Sequence, residues 1–508
     1  MELLLLFALL LFVLYFYLKY VVYDVWRRAG IPHDRPSIPL GTLPLDYIRR
    51  KATLGSILTN SYKRYKRFPL HGVYVIYKPV LVITDPKIIQ LVLVKDCNIF
   101  LDRGFYADPE KDLISLSLAR VNGERWRILR RQLSSSFAPK KIKFMFLMVK
   151  EFCERLIEIY EDELRESDVV RIDELTSRFT IDCAFATLFG FNCNLLKNPD
   201  NDFYKYGKQS NEQGVIYSII SFFLPELAAL CRIPKVRRDT NSFFERFFEN
   251  MIDCQKKKNM AENNLLGAMM QLMKGGSNRE LDENTKLTTQ EAAAQLVTFF
   301  APSQGMPAFV IIHCLYELSL NPEVQERLYK EIYETACRSE ELTYRTLSEL
   351  SYLNLVLQET LRKHTPLPVL NRIAIEDFSI PDSDIVIRKN TRIAISTHGL
   401  HHDPDIYPDP EKFDPTRFTP ENKAKRHSST YLPFGTGPRF CIGKQQGILI
   451  PKLALFYLLL NYKFSVCDNT PANLEYLPEH LILILKNEIY LRIEKRKELD
   501  HVHQPDFR

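Results

Sequence analysis

The chain has 508 residues, 46% of them hydrophobic, and a formal net charge of +6. That length suffices for a large core, and so mild a positive balance, with no long basic run, argues against nucleic acid as a partner. The ten cysteines are scattered without a C-x-x-C pair, which argues against a zinc site or a disulfide framework and fits a body in a reducing compartment.

Leu3–Leu18 is an unbroken apolar run, and apolar residues resume after Lys19 as far as Tyr23. The run is slightly short for a bilayer but spans one with modest adjustment. A cleaved signal peptide is the competing reading. Only Glu2 precedes the run as a charge and no small-residue cleavage site follows it, so residues 1–23 read as an uncleaved anchor. Lys19, Arg27 and Arg28 place the body on the cytoplasmic side. Residues 24–41, with Pro32, Pro36 and Pro39, read as a stiff linker. Residues 42–496 form the body and 497–508 a polar tail.

Val73–Tyr77 and Val80–Thr84 are β-branched and aromatic runs separated by Lys78-Pro79, a hairpin pattern. Asp85-Pro86 marks the start of the next helix. Arg125–Met148 is basic and helical in character. Its Arg127, Arg131, Lys140, Lys141 and Lys143 form either a docking patch for an acidic partner or an ordinary solvated face. Val215–Leu230 is apolar enough for core, and Gly275–Thr289 is polar and loop-like. Gln290–Leu320 is an apolar helix containing Pro302 and Pro307. Each proline removes a helix hydrogen bond, at about 3 kcal/mol or more in a regular interior, so a kink is expected. Glu359 and Arg362, within E-T-L-R, share a helix face and can pair; exposed, such a pair contributes little. Leu481–Leu485 and Ile489–Ile493 flank Lys486-Asn487-Glu488 and read as a second hairpin.

The most informative stretch is F-G-T-G-P-R-F-C-I-G, Phe434–Gly443. Ile442–Leu460 is mostly apolar and long enough for a helix, so Cys441 lies at or just before a helix N-terminus. Free N–H groups and the positive end of the dipole favour a thiolate there, and a thiolate is a good ligand for a heme iron. Gly437 permits a positive φ in the turn. Gly443 lets a flat macrocycle approach the backbone, and Arg439, two residues from the sulfur, can pair with a carboxylate. A lone cysteine is ordinarily a small buried hydrophobe, which is the reading of the other nine. The Phe434, Gly437, Arg439, Cys441, Gly443 pattern resembles the cysteine-ligand loop of the cytochrome P-450 family. Three more segments carry the resemblance: E-T-L-R at Glu359–Arg362, F-D-P-T-R-F at Phe413–Phe418 and W-R-I-L-R at Trp126–Arg130. R-R-A-G-I-P and G-L-H-H-D-P look most like the insect microsomal branch. The likeness runs from the anchor to about Arg496.

The resemblance implies a mainly α fold with a smaller β-rich lobe, and residues 42–496 as one heme-thiolate catalytic domain. It implies heme b with Cys441 as the iron ligand, and Phe434 and Gly443 beside the cofactor. Trp126, Arg130, Arg372, Arg439 and Arg103 match propionate-binding positions. Glu359, Arg362 and Arg417 match a buried charge network, which fixes geometry more than it adds stability. The implied activity is monooxygenation of small apolar molecules, either endogenous lipids or hormones, or xenobiotics. Electrons would come from NADPH through a flavoprotein reductase, at the endoplasmic reticulum membrane. In microsomal members the region matching Val215–Leu230 lies near substrate entry and the membrane, and the C-terminal hairpin reaches the pocket.

The distal helix departs from the family. Its members carry an acid followed by a threonine that supply protons while dioxygen is cleaved. Registered on Phe299-Phe300 and Leu315-Tyr316, those positions here are Gly305 and Met306, and Met306 has no proton to give. Ser303 and Gln304 are the polar residues left to hold water, and stand as the candidate catalytic residues. Lys444-Gln445-Gln446 and Pro451 depart on the proximal helix. Two rival readings therefore remain beside the monooxygenase: a heme-thiolate isomerase, dehydratase or peroxide-using enzyme, and a non-catalytic heme-binding protein.

Overall fold

The N-terminal run forms α1, Glu2–Tyr17, apolar on every side and burying none of its side chains in the body. The segment after it does not stand off as a spacer. Trp26 Nε1 donates to the Val73 carbonyl at 3.1 Å, and the Gly72 N–H donates to Pro32. Gly72 has no side chain to obstruct this packing: a Cβ there would lie 2.3 Å from the Trp26 ring. The computed structural model describes residues 1–105, 113–197, 264–274, 286–338, 341–478 and 480–496, with Leu224, Leu227, Leu230, Ser242, Phe243 and 246–253. Most of Val215–Leu230, most of Gly275–Thr289 and the 497–508 tail lie outside the described residues.

β1 (Leu70–Val75) and β2 (Lys78–Ile83) form the first hairpin, with Val75 opposite Lys78. The turn is therefore Ile76-Tyr77, and Lys78-Pro79 lies in the strand rather than between strands. Pro79 is tolerated because β2 pairs with its other neighbour only from Val80 onward. Asp85 caps the next short helix, Pro86–Gln90, by accepting the Lys87 N–H at 2.6 Å. The basic helical stretch divides in two. α2 is Gly123–Ser134 and α3 is Pro139–Glu166; Pro139 opens a new helix because it lacks the N–H to continue the old one. β3 (Val169–Arg171) and α4 (Ile172–Phe189) follow.

The distal helix, α5, runs unbroken through both prolines from Thr289 to Leu320. Its start is a reciprocal cap: Thr288 Oγ1 accepts the Glu291 N–H, and the Glu291 carboxylate accepts the Thr288 N–H. Being apolar on most faces it lies in the core, packed on α4, on α6 (Ser351–Lys363) and on α7 (Lys444–Asn461). The β-rich lobe holds β4 (Val369–Ile373), β5 (Phe378–Ser379), β6 (Val386–Ile387) and β7 (Arg392–Ser396). The main sheet has the order β1-β2-β7-β4, with β2 and β7 parallel. β8 (Tyr462–Ser465) and β9 (Tyr490–Lys495) complete a second sheet, β3-β9-β8. Ile489–Ile493 therefore does not pair with Leu481–Leu485. The hairpin present lies earlier, closed by Tyr476 opposite Leu485. The body is mainly α with a smaller β lobe.

Candidate functional site

The Phe434–Gly443 turn is held by three backbone bonds: Gly435 N–H to Leu432, Cys441 N–H to Phe434 and Phe440 N–H to Gly437. Gly437 has φ +72°, and a Cβ there would lie 1.7 Å from the Leu93 carbonyl oxygen, so glycine is required twice over. Gly443 caps α7, which starts at Lys444. A Cβ at Gly443 would meet only the Phe137 ring edge at 3.8 Å. Protein atoms alone do not demand a glycine at that position.

Cys441 is exposed yet closely surrounded by protein, which places it on the wall of a recess. Burial pushes its thiol up; the Gly443 N–H, Arg130, Arg103 and Lys444 pull it down without cancelling that effect. The helix-start environment therefore does not by itself give a free thiolate here, whereas coordination to a cation deprotonates a thiol outright. Phe137 stands between this loop and the distal helix, its ring 5.4 Å from that of Phe299.

Arg103 and Arg130 face the thiol, and Arg372 and Arg439 crowd against Arg103. Burial lowers the pKa of each. Arg103 is further lowered by Arg130, Arg372 by Arg103, and Arg439 by Arg103, Arg372 and Arg130. Guanidinium stays charged in proteins, so these shifts mark buried cations, three of them also set against one another. Among the described residues the carboxylate against them is that of Asp102, 3.6 Å from Arg439. A cofactor with two carboxylates and a flat ring fits this donor set: the arginines match the carboxylates, the thiol matches iron, and Gly443 leaves room for the ring. Arg439 is also committed elsewhere. It donates to the carbonyls of Leu101, Leu118 and Val121 and stacks 4.1 Å over the Trp126 ring. It thus clamps Leu101, Leu118 and Val121 to the cysteine loop. Arg130 lies over Phe440 at 4.6 Å.

On the distal helix Pro302, Gly305, Met306 and Phe309 follow i, i+3, i+4, i+7 and share one face. Pro302 is exposed, Gly305 and Met306 are partly open, and a Cβ on Gly305 would meet nothing within 4 Å. Gln304 lies on the opposite, packed side and is buried, whereas Ser303 is partly open. The helix geometry also shows a residue that sequence reasoning missed. Pro302 lacks an N–H, so the Thr298 carbonyl four residues earlier has no helical donor. Thr298 Oγ1 is buried there without a hydrogen-bond partner among the described residues.

Away from the recess, Glu359 and Arg362 are fully buried and meet through two bonds of 2.7 and 2.8 Å. Arg417 Nε lies 3.4 Å from Glu359, and the Asp414 N–H donates to the same carboxylate. Arg362 spends its remaining donors on the His401 and Pro410 carbonyls. Burial raises the Glu359 pKa against the opposing pull of these partners.

A family model described as cytochrome P450 matches residues 32–493. The chain is 35% identical over 489 residues to "Probable cytochrome P450 6a14" of Drosophila melanogaster, covering 93% of this chain and 96% of that protein. It is 33% identical over 494 residues to "Cytochrome P450 6a2" of the same organism, covering 94% and 97%. "Cytochrome P450 6A1" of Musca domestica is 33% identical over 483 residues, covering 93% and 94%.

Proposed function

Because the chain belongs to the cytochrome P450 family, whose members are monooxygenases holding heme iron by a cysteine thiolate, we propose that Cys441 is that ligand. We propose further that the chain oxidises small apolar molecules with electrons passed from NADPH by a flavoprotein reductase, at the endoplasmic reticulum membrane. The observation that carries this reading is the recess itself, a thiol facing Arg103 and Arg130, with Arg372 and Arg439 crowded against Arg103 and Phe137 joining the loop to the distal helix. When bound, the cofactor supplies oxygen activation, with electron density pushed from the thiolate. This chain's residues bind and orient it: Arg103, Arg130 and Arg372 toward the propionates, and Arg439 and Trp126 as a stacked clamp. Phe434 and Gly443 shape the floor of the site. Exposed Arg131, Lys140, Lys143 and Lys444 offer cations to an acidic reductase surface. Lys444 and Gln445 face outward, while Gln446 turns inward to Thr187 at 2.9 Å. α1 is the anchor in this reading.

Proton supply is the part of the reaction most altered. With Gly305 and Met306 in place of an acid and an alcohol, a water would be held by the Thr298 hydroxyl and its freed carbonyl, with Ser303 on the flank. Gln304 is turned away from that face. The experiment is to measure NADPH consumed, peroxide released and product formed, together, across a panel of apolar substrates. Product formation dependent on NADPH and reductase supports the proposal. Turnover of peroxide or rearrangement of substrate without NADPH selects the isomerase or peroxide-using reading instead, which the Gly305-Met306 pair favours.

A further inference from the structure

A chain of buried and partly buried polar side chains joins the C-terminal hairpin to the distal helix, away from the cysteine recess. Tyr476, on the hairpin, has its hydroxyl 3.0 Å from His313 Nε2 and 3.4 Å from His364 Nδ1. His364 Nε2 lies 2.7 Å from Glu317, which also takes a bond from Lys363 Nζ. The proton positions on His313 follow from geometry. Its Nδ1 is 2.6 Å from the Phe309 carbonyl, which can only accept, so Nδ1 carries the hydrogen and Nε2 accepts from Tyr476. Burial keeps the Tyr476 hydroxyl protonated and the His313 ring neutral, as this requires.

The link has a consequence for the open face. The His313 ring stacks on that of Phe309 at 3.7 Å, and Tyr476 lies near-parallel to both. Phe309 is one turn beyond Gly305 on the same face, so this stack forms the end wall of the open stretch. A second tyrosine points the opposite way: Tyr316, on the helix, donates to the Pro471 carbonyl of the C-terminal segment at 2.9 Å. One backbone bond, Leu483 N–H to Pro366, adds to these two. Within the hairpin the Leu477–Ile484 and Lys486–Glu475 backbone bonds hold its arms together, without fastening it to the helix.

We propose that Tyr476 is a latch and a positioning residue: its hydroxyl fastens the C-terminal hairpin to His313 and thereby sets Phe309 as the end wall of the ligand space. It discriminates ligands by length along the distal helix, with aromatic, apolar ends favoured. The ligand arm of this inference rests on the heme reading above; the latch itself does not.

The test uses full-length heme-loaded protein and Tyr476→Phe, which removes one oxygen atom. Tyr316→Phe is the second variant, and Tyr490→Phe, which loses only a surface bond to Glu488, is the control. Amide exchange of residues 473–487 is expected to rise about 2- to 10-fold in Tyr476→Phe, the loss typical of one hydrogen bond. Tyr316→Phe should raise exchange at 471–474 and leave ligand selectivity unchanged. Phenylimidazole affinity, read from the Soret shift, should change in Tyr476→Phe while that of imidazole does not. Unchanged exchange at 473–487 overturns the latch. Raised exchange with equal shifts for both imidazoles overturns the end wall. No Soret response in the unaltered protein would sink the heme reading and leave the exchange result standing.

Discussion

Gly437→Ala puts the cysteine loop to a quantitative test, because the loop contains its own control. Gly437 and Gly435 both have left-handed backbones, with φ of +72° and +67°. Placing a Cβ on either costs about 1–2 kcal/mol of local strain. The two then differ. At Gly435 a new Cβ meets nothing within 4 Å, but at Gly437 it falls 1.7 Å from the Leu93 carbonyl oxygen and 2.8 Å from its carbon. That neighbour is backbone and cannot swing away, and the Leu93 side chain is itself anchored in the core. Relief requires a backbone shift of the kind that costs about 1–3 kcal/mol when a packed interior is overfilled. Gly435→Ala should therefore lose about 1–2 kcal/mol and keep its thiolate spectrum. Gly437→Ala should lose about 2–5 kcal/mol in all and yield little heme-loaded protein. Denaturant unfolding with the reduced, carbon-monoxide-bound spectrum reads both effects. Equal destabilisation of the two variants would refute the close approach of Leu93.

Three further outcomes follow from the site. Cys441→Ala should lose the red-shifted Soret band of thiolate ligation, and its survival would assign the ligand elsewhere. Glu359→Ala leaves two guanidiniums facing an emptied, fully buried position, and breaking such a pair costs about 3–5 kcal/mol; folded, heme-loaded yield measures it, and normal yield would show the network is dispensable. General acid catalysis typically contributes about 10²–10⁴-fold, so the unaltered protein should release much of its reduced oxygen as peroxide. Thr298→Val should raise the peroxide share further and Met306→Thr lower it. Tight coupling of NADPH to product in both the unaltered protein and Thr298→Val would remove Thr298 from the proton route and assign that route to another group, Ser303, Gln304 or the substrate itself.

What the sequence showed of these features depended on how local each one is. The Gly437 turn, the Asp85 cap and the helix after Cys441 each rest on residues within a few positions of one another, and the chain reads them directly. The Leu93 carbonyl against Gly437 is remote in sequence, so only half of the glycine's necessity could be seen. Ile489–Ile493 has strand periodicity but no mark of its partner, and β3 and β8 take it where the nearer Leu481–Leu485 run had seemed to fit. The Glu359–Arg362 spacing is local, yet its burial depends on the His401 and Pro410 carbonyls some 40–50 residues on. Thr298 was overlooked because nothing in its own neighbourhood is unusual; it matters through the proline four residues later.

The two sides of the recess differ in how much change they admit. The cysteine loop meets several demands within ten residues: two left-handed glycines, a close backbone approach and an arginine clamp holding Leu101, Leu118 and Val121. A substitution there alters the position of the sulfur. The distal face makes no such joint demand. Its contribution is a proton donor placed near the reacting atoms, and a hydroxyl with a freed carbonyl on the same helix can offer water binding from a different register. Retention of the first with replacement of the second is therefore a coherent state of the molecule. In the proposed reading the thiolate's electronic role and the distal helix's proton role are carried by separate elements, so the second can be moved to Pro302 and Thr298 without disturbing the first.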